Sequence, residues 1–298
     1  MSHTLLTAIA TRLILLLLRG IIYLPFSLQL WIGYQLGKMG WHISKKWHNT
    51  ADKNLSAAFP ELDNTQHQKL MAQHCRSLGI GLIEMGNAWW GADQKLKQRV
   101  TVEGLEHLDS ALEQGKGVIL LSAHFTTLEI GGKLLSLFRP LHAMYREQDN
   151  KHFNQAMVDG RLSFLQSLIK KSDLRGMMRL LKQNQTIWYA MDQNSSDGSA
   201  VFTHFFDIPC STTAATSKLA QRSGASVIPF STQRLEPENH YHLTIHPPLE
   251  NFPSKDAVAD TQQIMDLFES VVRKSPEQYL WVHRRFKRQP KGYPPFYT

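Results

Sequence analysis

His124 and Glu129 are the two residues whose types and spacing could do chemistry together; they lie in GVILLSAHFTTLEIGG, Gly117 to Gly132. An imidazole held at one ring nitrogen by a carboxylate keeps the other nitrogen free to take a proton from a hydroxyl. Two residues five apart on one regular helix diverge by about 140° around its axis, so the pair meets only if His124 lies in the turn before the helix. The flanking pattern predicts that placement. Val118 to Leu121 reads as a strand buried on both faces, and Phe125 onward as a helix with Leu128, Ile130 and Leu135 inward. A base at a strand's carboxyl end, beside a helix N-terminus with free amides and partial positive charge, can act on a bound ligand.

The spacing is not specific by itself. With 14 histidines and 25 acidic residues in 298 positions, about one such pair arises by chance, and a second does occur, His142 with Glu147. Pro140 to Arg146 reads as a strand, where an odd separation puts side chains on opposite faces, so His142 is assigned no role. Ser122, Thr126 and Thr127 are close enough in sequence to be nucleophiles, but no G-x-S-x-G elbow is present and an acyl-enzyme is not expected. No Cys/His spacing fits zinc and there is no H-E-x-x-H, so no metal and no cofactor are expected. Cys75 and Cys210, far apart in sequence, read as reduced thiols.

Ahead of His124, Asn64 to Trp90 has helical spacing, with Trp89 and Trp90 at its end. A strand at Val100 to Glu103 and a helix at Leu105 to Leu112 lead into the central strand. After it come a strand at Leu141 to Arg146 and a long helix at Asn150 to Ile169, whose apolar face is interrupted by Arg161. A further helix capped by Asp173 precedes a strand at Thr186 to Met191, which ends in the polar run Asp192-Gln193-Asn194-Ser195. Val201 to Phe206 has the bulk of a strand or a pocket wall, and IPCSTT, Ile208 to Thr213, reads as a turn into a capped helix. Strands at Ser226 to Ser231 and His240 to His246, separated by a polar loop, and an amphipathic helix at Asp256 to Arg273 complete the series. The alternation predicts an α/β fold, a mixed β-sheet flanked by helices.

Lys and Arg total 33 against 25 Asp and Glu, with an isoelectric point near 9.4, which favours anionic partners. Leu5 to Leu36 is rich in Leu, Ile and aromatics, but Arg12, Arg19 and Pro25 interrupt it. A spanning helix needs about 20 apolar residues, and this stretch reads as a retained membrane-associated helical anchor that spans or lies at the interface. The expected division is an anchor over residues 1–40 and a catalytic domain over 41–298. The tail WVHRRFKRQPK, Trp281 to Lys291, gathers Arg284, Arg285, Lys287, Arg288 and Lys291 around Phe286, a solvated face or a clamp for phosphate or an acidic carrier. Nucleic acid is not an expected partner, because no motif for it accompanies the charge.

The His-x4-acid element resembles that of the glycerolipid acyltransferase superfamily. NLSAAFPEL (Asn54 to Leu62), WYAMDQN (Trp188 to Asn194), FFDIPCSTTAATSKLA (Phe205 to Ala220), VIPF (Val227 to Phe230) and WVHRRFKRQPKGYPPFY (Trp281 to Tyr297) resemble segments of the late acyltransferases of lipid A biosynthesis, the lauroyl/myristoyl, Kdo-dependent type. The resemblance implies an enzyme at the cytoplasmic face of the inner membrane that moves a fatty acyl chain from acyl carrier protein to a hydroxyacyl chain on a phosphorylated lipid A precursor. It implies His124 as base, Glu129 as its partner, Arg161 as the basic residue of a second block, Asp192 and Gln193 at the pocket rim, and Arg284 and Arg285 as substrate-binding. Met191 departs from the family pattern, which often has proline before that acid. Two alternatives stand beside this reading: a glycerolipid acyltransferase using acyl-CoA or acyl carrier protein, and a non-catalytic protein that binds anionic lipid at a membrane surface.

Overall fold

The computed structural model describes residues 3–236 and 240–297. Residues 1 and 2 of the expected anchor and 237–239 of the expected polar loop lie outside them. The apolar amino terminus forms two helices, α1 (His3–Ile21) and α2 (Phe26–Ile43), separated at Pro25, where a ring without an N–H can start a helix but not continue one. No described helix is long and apolar enough to cross a membrane. The chain continues through α3 (Lys45–Ala58), stopped ahead of Pro60, and the long α4 (Asn64–Trp90), whose start is fixed by a capping box between Asp63 and Gln66.

Helix α2 lies directly on α4. A side-chain carbon placed on Gly79 would overlap the carbonyl oxygen of Gly33 and the backbone of Gly37, and one on Gly37 would overlap the carbonyl of Cys75. Small residues on both helices bring the two backbones together.

After α5 (Asp93–Lys97) the elements are β1 (Val100–Glu103), α6 (Leu105–Glu113), β2 (Val118–Ser122), α7 (Leu128–Ser136), β3 (His142–Tyr145), α8 (Lys151–Leu162) and β4 (Ser167–Lys170). Then follow α9 (Leu174–Lys182), β5 (Thr186–Ala190), β6 (Ala200–Phe205), β7 (Ile208–Thr213), α10 (Ala215–Ser223), β8 (Ser226–Leu235), β9 (His240–Ile245) and α11 (Ala257–Lys274). Seven strands form one sheet in the order β1-β9-β8-β2-β5-β3-β4. Among the described residues the β8–β9 pair of this sheet is antiparallel and its other pairs are parallel. Alternate residues of the central strand serve opposite faces. Ile119 and Leu121 join a core covered by α3, α9, α10 and α11, while Val118 and Leu120 join one covered by the end of α4 with α6, α7 and α8.

Four elements differ from the sequence reading, one of them β8, which runs on to Leu235, four residues into the expected polar loop. The helix expected to run from Asn150 to Ile169 ends at Leu162, and Ser167–Lys170 becomes the edge strand β4, paired parallel with β3. A short apolar run fits either state locally, and the sheet edge decides it. IPCSTT is a strand, β7, in a hairpin with β6. Its turn residues, Phe206 and Asp207, both have positive φ, 55° and 57°, which is a two-residue hairpin turn of the kind normally marked by Asn or Gly. The bulky Phe206 tolerates this backbone because its ring packs on Phe59 and Trp281 and its amide donates to Glu269 Oε2 at 2.6 Å. Finally, α7 begins at Leu128, three residues later than expected.

Candidate active site

The site is built where β2 and β5 end. These neighbours run parallel with Ser122 opposite Ala190, so the same register two residues on sets His124 opposite Asp192. His124 Nδ1 lies 2.6 Å from Asp192 Oδ1, and the His124 amide donates to both carboxylate oxygens at 3.1 and 3.0 Å. Tyr279 donates its hydroxyl to Oδ2 at 2.8 Å. Burial opposes a charge on Asp192, but the adjacent imidazole and these hydrogen bonds outweigh it and hold the carboxyl down at about 2. A carboxylate only accepts, so Nδ1 carries the proton and Nε2 presents its lone pair. Asp192 is fully buried, while the His124 side chain keeps 23% of its surface open.

The turn that carries His124 is clamped by the carboxyl-terminal segment. Leu280 donates its amide to the His124 carbonyl at 2.9 Å, Thr126 donates to Gln278 at 2.7 Å, and Phe125 bridges to Tyr279. From the other side, Arg234 donates to Glu84 at 2.8 Å and to Ser77 at 2.7 Å, and Ser77 is hydrogen-bonded to Thr126. The Arg234–Glu84 pair is almost completely buried. A buried, paired network of this kind fixes geometry more than it adds stability. Three amides of the turn and helix start are engaged: His124 with Asp192, Thr126 with Gln278, and Leu128 with the Phe125 carbonyl.

Glu129 does not meet His124. Among the described residues it pairs instead with Arg161, whose Nε donates at 3.1 and 3.2 Å and whose terminal nitrogen closes a second contact, and it accepts from Trp89 Nε1 at 3.0 Å. Burial raises its pKa, but the Arg161 charge and these donors bring it below the usual carboxylate range. Glu129 sits in the first turn of α7, pointing to α4 and α8. Helix α8 lies flat on Trp89 because a side chain at Gly160 would collide with the indole, and the next residue is Arg161. The expected His124–Glu129 hydrogen bond is therefore replaced by two pairs, His124–Asp192 and Glu129–Arg161.

The other expected site residues divide as follows. Asp192 stands behind the imidazole, not at a rim, and Gln193 is half-buried beside it. Arg285 is buried, donating to the Ser211 carbonyl at 2.8 Å and to Thr212 Oγ1 at 2.5 Å. It braces the end of β7, and its Nε has no partner among the described residues. Arg284 is partly exposed, with its guanidinium 4.5 Å over the Tyr297 ring. His142 hydrogen-bonds Ser167 and Gln185, and Glu147 pairs with Lys170, so that second spacing forms no dyad. Both cysteines are buried and free. Sequence reasoning missed Tyr279, Gln278 and the Glu84–Arg234 pair, none of which carries a local spacing signal.

A family model for bacterial lipid A biosynthesis acyltransferases matches residues 2–288. The chain belongs to that family. The lipid A biosynthesis lauroyltransferase of Escherichia coli (strain K12) is 33% identical over 278 residues, 93% of this chain and 91% of the relative. The palmitoleoyltransferase of the same organism is 33% identical over 91% of this chain and 89% of its own. A lipid A biosynthesis acyltransferase of Haemophilus influenzae is 32% identical over 91% of this chain and 88% of its own. As a member of this family the protein is an acyltransferase, and His124 and Asp192 lie in the part of it that the family model covers.

Proposed function

We propose that the protein transfers a fatty acyl chain from acyl carrier protein to the secondary hydroxyl of a hydroxyacyl chain on a lipid A precursor, with His124 as general base. The observation that carries this reading is the His124–Asp192 pair, in which the carboxylate engages Nδ1 while the His124 side chain keeps 23% of its surface open. Nε2 takes the proton of the acceptor hydroxyl as its oxygen attacks the thioester carbonyl. The tetrahedral intermediate collapses with loss of the thiolate, which the imidazolium reprotonates. Asp192 holds the tautomer and stabilises the transient imidazolium; positioned base catalysis of this kind contributes about 10²–10⁴-fold. Glu129 acts by holding Arg161 in place, not by touching the imidazole.

The amino terminus supports work at the inner membrane. Leu13, Ile14, Leu16 and Leu17 on α1 and Trp31 on α2 are each more than half exposed, with Arg12 and Arg19 nearby. Apolar exposure edged by cations suits helices lying in an anionic interface, on the cytoplasmic face where acyl carrier protein is found. The net charge of +8 suits an acidic carrier and a phosphorylated acceptor.

The deciding experiment is transfer from radiolabelled acyl carrier protein to a Kdo-bearing tetra-acyl lipid A precursor by wild type, His124→Ala and Asp192→Ala. A penta-acyl product from wild type that is lost in both variants, at equal protein level in the membrane, is the expected result. Persistent transfer by His124→Ala removes the base assignment, and acylation of a lysophospholipid alone moves the activity to the glycerolipid alternative.

A further inference from the structure

A cleft of about 380 Å³ opens beside the catalytic pair, between α3 and the carboxyl-terminal segment. Lys46 and Trp47 line one wall, Arg284 and Lys287 the other, and Asn194 and His283 close the inner end. No acidic residue lines it, and none of the three cations is in an ion pair with a carboxylate among the described residues. The walls are fixed to one another. Buried Asn54 on α3 donates to the carbonyls of Trp281 and His283 at 2.7 and 2.9 Å and accepts from the Tyr297 hydroxyl at 2.6 Å. Asn194 donates its amide to His283 Nε2 at 3.3 Å and accepts from the Arg288 amide at 3.0 Å. Arg284 is held over the Tyr297 ring and spends one donor on the Tyr297 carbonyl at 3.4 Å, so the rest of its fork is available.

Three unpaired cations converging on a preformed concave site call for an anion with several acceptor oxygens. Asn194 lies two residues beyond Asp192, and His283 three beyond Leu280, whose amide donates to the His124 carbonyl at 2.9 Å, so the inner end of the cleft is built from the segments that carry and clamp the catalytic pair. Trp47 is 53% exposed, so the mouth of the cleft also presents an amphipathic ring. An amphipathic molecule with a charged head therefore fits better than a soluble anion.

We propose that this cleft is the subsite for a phosphate monoester of the glycolipid acceptor, with Lys46, Arg284 and Lys287 as its cationic ligands. It rests on the acyl-transfer reading above and adds how the acceptor is oriented: the phosphate pins the disaccharide head so that one hydroxyacyl chain reaches His124 Nε2. Lys46→Gln/Lys287→Gln, both at exposed positions, tests it in the purified full-length chain, with tetra-acyl disaccharide carrying its phosphates and with the same lipid after phosphatase treatment. The expected result is an acceptor KM raised at least tenfold for the phosphorylated lipid, with kcat within threefold and the KM for acyl carrier protein unchanged. The dephosphorylated lipid is expected to show equal KM values for variant and wild type. A rise confined to the donor KM overturns the proposal by giving the cleft to the carrier, and unchanged KM values overturn it outright. Should wild type transfer nothing to this lipid, the acyl-transfer reading fails separately, and fluorescence of Trp47, identified by its loss in Trp47→Phe, decides the subsite. Quenching by the phosphorylated disaccharide that weakens at least tenfold in the double variant supports it, and equal quenching overturns it.

Discussion

His124 and Asp192 are partners by strand register: they stand opposite one another because β2 and β5 pair in parallel with Ser122 against Ala190, and each lies two residues further on. The carboxylate that sets the imidazole is thus 68 residues away in the chain. Asp192→Asn keeps size and polarity but can donate to Nδ1, which favours the wrong tautomer. The expected outcome is a 10²–10⁴-fold loss of kcat with acceptor KM changed little. Steady-state kinetics beside Glu129→Gln checks it, and equal kcat losses with unchanged stability would point back to Glu129 as the imidazole's partner.

The Glu129–Arg161 pair gives a different signature. Both side chains are mostly buried, 17% and 13% exposed, and removing one partner leaves the other charged without compensation. Arg161→Met is expected to cost about 3 kcal/mol in urea unfolding, within the range for breaking a buried pair. Arg161→Met/Glu129→Leu is expected to recover most of that stability. If the double variant is no more stable than the single one, the two residues are not energetically coupled.

Much of the architecture was legible because it rests on local signals. Asp173 and Asp256 announce helix starts and do cap them. The unbroken apolar run at Val118 to Leu121 announces a central strand. What stayed hidden depends on partners distant in sequence. Nothing around Ser167 to Lys170 distinguishes a strand from a helix end, and Phe206-Asp207 lacks the residues that mark its turn. At the site, His124 could be found from its strand-turn-helix setting. Its partner could not, because the order of strands in the sheet, and hence the β2–β5 pairing, is not written in periodicity. Glu129 was the nearest acid in sequence and Asp192 the nearest in space.

The α2–α4 crossing predicts a strong effect from a small change. Gly79→Val places a branched side chain where the backbones of Gly33 and Gly37 pass, and α2 must shift away. The expected cost is about 3 kcal/mol, at the upper end of overpacking. Limited proteolysis should show new cleavage between α1 and α2, around Tyr23 and Leu24, while a surface control such as Lys97→Ala leaves the pattern unchanged. An unaltered digest for Gly79→Val would mean that α2 does not need this contact to stay in place.

Acid should weaken the fold well above the range in which Asp192 titrates. His74 is fully buried, donates Nδ1 to the Glu277 carbonyl at 3.0 Å, and has no partner at Nε2 among the described residues. Burial lowers its pKa from 6.5 to about 4, against a smaller upward pull from that carbonyl. As pH falls through 6.5 the unfolded chain takes up a proton that the folded chain refuses until about 4. Across that window the unfolded state binds more protons, and stability falls with pH by up to about 1.4 kcal/mol per unit for this group. Asp192 works in a lower window: its folded pKa is depressed, so its contribution is present above 3.8 and is lost as pH falls toward 2. His74→Asn retains a donor for Glu277 and removes the titration. Urea midpoints at pH 7, 6 and 5 are therefore expected to slope downward for wild type and to be measurably flatter for His74→Asn. Parallel slopes would assign the acid sensitivity to other groups, with His283, whose pKa is also lowered to about 4, the next to replace.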